Sequence, residues 1–123
     1  MVLNHAAVQY QQQKIQTSSP GELTLMLYNG LVKFLKLALN EQEQGNIQAT
    51  NTYLIRSQDI IKELHCTLNM DYEVAQDMEI MYEYMNRRLI EANLKKDKEI
   101  IEEIIGYAVE FRDTWVQVMK LAK

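Results

Sequence analysis

The chain is 123 residues long and 47% apolar, with a net charge of −4, which suits one globular domain and is too apolar for a disordered chain. Acids and bases are mixed, and no basic run exceeds the pairs Arg87-Arg88 and Lys95-Lys96, which argues against nucleic-acid binding by phosphate neutralisation. One proline and four glycines are too few for a sandwich or barrel, no apolar run reaches the ~20 residues of a membrane span, and the single cysteine, Cys66, excludes an intrachain disulfide.

Residues 1–18 read as a separate N-terminal segment. Its start, Met1 to Ala7, has neither the basic region nor the long apolar core of a secretory signal, so a cytoplasmic protein is expected. The segment is too short and polar for a bundle helix. It still carries Val2, Leu3, Ala6, Ala7, Val8, Tyr10 and Ile15, enough apolar area for a movable lid anchored by Tyr10.

The first helix has a clear start: Ser19 caps it, Pro20 fits its first position and Glu22 completes a capping box. It runs to about residue 44, where Gly45-Asn46 supplies the stop. The second covers roughly 46–69. Ile47, Leu54, Ile61 and Leu68 recur every seven residues, with Thr50, Ser57 and Leu64 three later in each step. Asn69 and Asp71 mark the break, Asp71 as the next cap. The third covers roughly 72–93, with a stripe of Val74, Met78, Met81, Met85, Leu89 and Ala92. The fourth, capped by Asp97, covers roughly 97–121, with Ile101, Ile104, Ala108, Phe111, Trp115, Val118 and Ala122 stepping by three and four. Similar lengths and short connections predict an all-α fold, an antiparallel up-down-up-down four-helix bundle over residues 19–123.

The chain offers little for chemistry. Carboxylate-bridged metal bundles need Glu-x-x-His pairs, and neither His5 nor His65 has a glutamate three residues before it. His65 and Cys66 are helical neighbours and face about 100° apart, so they do not form a catalytic pair. No cofactor and no metal site is expected. Arg56, Arg87, Arg88 and Arg112 leave one enzymatic alternative open, an arginine-lined interior holding a small dicarboxylate. Arg88 reads better as the partner of an acid on a neighbouring helix.

The anomaly is apolar surface. Apolar positions of the first helix spread over about 200°, where a bundle helix needs a little over 100°. One stripe holds Leu23, Leu27, Leu31, Phe34 and Ala38; a second holds Leu25, Tyr28, Val32, Leu35 and Leu39. One faces the core, and the other needs cover. Ile80, Tyr82 and Tyr84 repeat the theme on the third helix, and seven methionines and seven tyrosines suit an adaptable interface. The expected partner-binding groove comprises Leu25, Met26, Tyr28, Val32, Leu35, Leu39, Ile80 and Tyr84. A homodimer covering its own spare stripe is the other alternative.

Four segments then resemble the flagellar secretion chaperone family FliS. The run from Tyr10 through Thr17-Ser-Ser-Pro20 to Glu22-Leu and Met26-Leu-Tyr-Asn-Gly30 is similar to the family's N-terminal signature, with Ser18 where a small alanine is usual. Arg56 to Leu64, Tyr82 to Asn93 and Phe111 to Trp115 follow in order at the family's spacing. The resemblance implies a small antiparallel bundle without enzymatic activity. Such a protein binds the disordered C-terminal segment of flagellin in the cytoplasm, prevents premature polymerisation, and assists delivery to the flagellar type III export gate. It also implies that the region of Tyr10 docks to that gate.

Overall fold

A computed structural model describes residues 20–71 and 73–121 of the chain. They form four helices: α1, Pro20–Glu43; α2, Ile47–Cys66; α3, Glu73–Lys95; and α4, Lys98–Leu121. α1 packs against α2 and α4, and α3 packs against the same two helices, so the four close into a ring in chain order. This is the expected antiparallel bundle. No helix among the described residues is long and apolar enough to cross a membrane.

The turns show why the helices stop where they do. Gly45 has φ +78°, a left-handed conformation that only glycine takes freely. Its N–H donates to the Gln42 carbonyl, and that of Asn46 donates to Glu41, which satisfies two carbonyls at the end of α1 in a Schellman motif. At the end of α3 the same position falls to Lys96, with φ 51°, and the Asp97 N–H reaches back to Ala92. Lys96 holds this conformation with its ammonium on the carbonyl and side-chain oxygens of Asn93. The two turns are joined at one end of the bundle, where the Gln42 side chain donates to the Lys96 carbonyl at 2.5 Å. Gly45→Ala should cost about 1 kcal/mol, read as a lower urea midpoint; an unchanged midpoint would show that the turn tolerates a Cβ.

One boundary follows the sequence reading and another falls short of it. Asp97 caps α4 as expected, accepting the Glu99 N–H at 2.9 Å. Before α3, the Asp71 N–H donates to the Asn69 side chain in a local turn. α2 ends at Cys66, three residues early, where the Thr67 hydroxyl bonds the Leu64 carbonyl and competes with the helical ladder. Ser19, the expected cap of α1, lies outside the described residues.

The core runs the length of the ring, from Leu31, Leu35 and Ala38 through Leu54, Ile61 and Leu64 to Met85, Leu89, Ile101 and Ile104. On α2 the seam holds except at its first position, since Ile47 is 65% exposed. Thr50 and Ser57 are fully buried, each hydroxyl bonding the carbonyl four residues back, so the seam carries no unpaired hydroxyl. On α3 the stripe is displaced. Ala75 and Tyr82 are buried with Met85, Leu89 and Ala92, while Val74 is exposed and Met81 only half-buried. Small or partly polar residues hold the inward positions there, so apolarity alone misplaced the first half of that face.

Candidate partner-binding surface

The two stripes of α1 serve two neighbours. Phe34 stacks on Tyr53 of α2, with ring centroids 6.0 Å apart. A Cβ at Gly30 would lie 3.3 Å from the Ile60 side chain, so α1 and α2 approach closely there. On the other side, Tyr28 meets Phe111 of α4, and the Trp115 indole donates to the Gly21 carbonyl at 2.8 Å. Tyr28, Val32 and Leu35 are therefore core residues, at 2%, 4% and 0% exposure, and do not line an open groove. The surplus apolar arc on α1 arises because it is flanked by helices on both sides. Leu25, Met26, Leu39 and Tyr84 are half-buried, and Ile80 stands exposed on α3.

Tyr28 also reaches across the ring. Its hydroxyl and that of Tyr82 are 2.5 Å apart, a hydrogen bond between the diagonal helices α1 and α3. Burial raises the pKa of both, and for Tyr82 the bond to Tyr28 raises it further. Tyr82, read from sequence as a surplus surface residue, is 2% exposed.

The uncovered apolar surface lies elsewhere. Eight large hydrophobic residues are exposed among the described residues, and seven of them are on α2, α3 or the turn between them; none is on α1. Ile55, Ile90 and Leu94 line a shallow α2–α3 cleft with Asn51, Gln58 and Asn93. The amide of Asn93 donates to the Asn51 side chain across its floor at 2.5 Å. No charged residue among the described ones lines it. On the opposite flank of α2, Met26, Leu27, Gly30, Phe34 and Ile60 line a second cleft, with Arg56 and Asp59 at its rim. Arg56 sits 5.6 Å over the Phe34 ring. Residue type alone could not reveal this face, because Ile55 and Ile90 are no more apolar than the buried Ile61.

The arginines do not converge. Arg56 caps Phe34, and Arg87 lies over the Tyr84 ring at 5.5 Å. Arg112 pairs with its neighbour Asp113. Arg88 binds Glu103 of α4 at 3.1 Å and Glu91 at 2.6 Å, the cross-helix pairing expected for it. The Tyr84 hydroxyl donates to the same Glu103 at 2.7 Å, which raises the tyrosine pKa. Lys95 and Arg88 together hold the Glu91 carboxyl below its ordinary value. These contacts tie α3 to α4. His65, read as an ordinary helix position, sits 2.8 Å from Glu79 of α3. The lid residues Val8, Tyr10 and Ile15 lie outside the described residues.

Comparison with known proteins adds to this geometry. A family model described as "Flagellar protein FliS" matches residues 3–122. The flagellar secretion chaperone FliS of Bacillus subtilis is 44% identical over 120 residues, covering 98% of this chain and 90% of the relative. That of Salmonella typhimurium is 33% identical over 107 residues, covering 85% and 79%. The corresponding protein of Vibrio cholerae is 26% identical over 107 residues.

Proposed function

The chain belongs to the FliS family of flagellar secretion chaperones, which are not enzymes, and on that premise we propose that it holds the disordered C-terminal segment of flagellin on the two flanks of α2. The hold keeps flagellin from polymerising in the cytoplasm until it is delivered to the export gate. The observation that carries this reading is the one-sided distribution of exposed apolar residues: the bundle has a complete core, and α2 and α3 still present Ile55, Ile90 and Leu94 to solvent.

The mechanism is helix-in-groove capture. The client segment folds as its apolar residues settle into the α2–α3 cleft and the Phe34 cleft. Ordering it costs a few kcal/mol, and each aliphatic side chain fully buried returns about 1.5–3 kcal/mol. Several anchors along a path that crosses α2 are therefore needed. At the Phe34 cleft the Arg56 guanidinium, which has no ion-pair partner among the described residues, receives a carboxylate of the client. The resemblance assigns gate docking to the segment around Tyr10, and the apolar residues Val8, Tyr10 and Ile15 of that segment support a second role as a lid over client surface before loading.

Titration of a flagellin C-terminal peptide tests the reading. The double variant Ile90→Glu, Leu94→Glu changes only exposed positions, so its melt should match the parent. Its peptide affinity should fall at least about a hundred-fold, the loss of two apolar anchors. Undiminished affinity would remove the cleft from the client site. Loss of self-association in the variant, with peptide affinity intact, would assign the patch to a second copy of the chain.

A further inference from the structure

We propose that His65, Glu79 and Glu83 form a binding site for a borderline divalent metal ion, with Zn²⁺ as the best fit, joining α2 to α3. His65 lies near the C-terminal end of α2, and Glu79 and Glu83 are one turn apart on α3. One potential ligand atom from each residue lies within 4.8 Å of the other two. The imidazole is already aimed: its Nε2 is 2.8 Å from a Glu79 oxygen, and its ring rests against Tyr82 at a centroid distance of 6.5 Å.

Protein groups leave the cluster electrostatically incomplete. Carboxylates four residues apart on a helix repel each other. The imidazole is the one basic group paired with these two carboxylates among the described residues. Glu83 has no ion pair among the described residues. A divalent cation would neutralise both carboxylates and take the imidazole nitrogen as a ligand. One nitrogen with two carboxylates suits zinc and its neighbours, whereas Ca²⁺ and Mg²⁺ prefer all-oxygen shells. Small side-chain rotations would bring the three atoms to the roughly 2.0–2.2 Å that zinc requires, and solvent would fill the fourth position. Bridging two helices, the ion would favour the folded state and raise its melting temperature.

The full chain is titrated with Zn²⁺ alone, reading affinity by calorimetry and stability by circular dichroism. Zn²⁺ should raise the melting temperature, and equal Mg²⁺ or Ca²⁺ should not. His65→Gln and Glu83→Gln should each fold and lose at least about ten-fold in Zn²⁺ affinity. Metal-free Glu83→Gln should melt no lower than the parent, since it sheds a repulsion and no ion pair. Cys66→Ser, beside the site and exposed, should keep full affinity. The proposal fails if Zn²⁺ leaves the parent's melt unchanged. It fails equally if either glutamine variant binds as the parent does, or if Cys66→Ser abolishes binding.

Discussion

Replacing Val32 with glutamate is expected to unfold the bundle. Val32 is 4% exposed and sits in the core cluster with residues of all four helices. The buried polar residues among the described ones are Thr50 and Ser57, neither of them a cation, so the new carboxylate would be buried without a countercharge. An ionised carboxylate there costs several kcal/mol, and protonating it leaves a polar group still to satisfy. That loss approaches the whole stability of a small domain, about 5–15 kcal/mol. Phe34→Ala, 3% exposed on the opposite side of α1, should cost about 3–5 kcal/mol and leave a folded but weakened chain. Thermal melts followed by circular dichroism separate the two. A Val32→Glu chain melting near the parent would mean that this stripe faces solvent.

The tyrosine pair should give the second large effect. Tyr28→Phe alone leaves the Tyr82 hydroxyl buried without its partner, and Tyr82→Phe does the converse. Each should cost about 1–3 kcal/mol, while the double variant should cost much less than their sum, because no polar atom is then stranded. Alkali gives an independent reading. The folded chain holds both hydroxyls above the ordinary tyrosine value of 10.0, so it favours their protonated forms. Their contribution is fully present below about pH 10 and is lost as pH rises beyond it. The parent should destabilise more steeply above pH 10 than the double phenylalanine variant. Additive single costs with an unchanged alkaline profile would show that the pair is not bonded in solution.

Helix existence and order were legible because local chemistry and periodicity agreed at most boundaries. Gly45 stops α1 as its backbone requires, and Asp97 caps α4. The displaced stripe on α3 was not legible. Ala75 and Tyr82 carry little or mixed hydrophobic signal, whereas Val74 carries a strong one, and neighbouring helices decide which faces inward. The candidate surface was harder to read. A single helix reveals how wide its apolar arc is, not how many neighbours cover it. α1 has a wide arc and two neighbours, so Tyr28, Val32 and Leu35 are buried. The apolar excess instead surfaces at Ile55, Ile90 and Leu94, which belong to two helices and become one patch only when α2 and α3 pack. His65, Glu79 and Glu83 came together for the same reason, with His65 and Glu79 fourteen positions apart in sequence.

Seeded polymerisation of purified flagellin, followed by light scattering with increasing amounts of this chain, tests the proposed function most directly. The parent chain should suppress filament growth in a saturable way, and the Ile90→Glu, Leu94→Glu variant, equally folded, should suppress it only at far higher concentration. Filament growth unaffected by the parent chain at concentrations well above that of flagellin would contradict the proposal that it holds flagellin back from assembly.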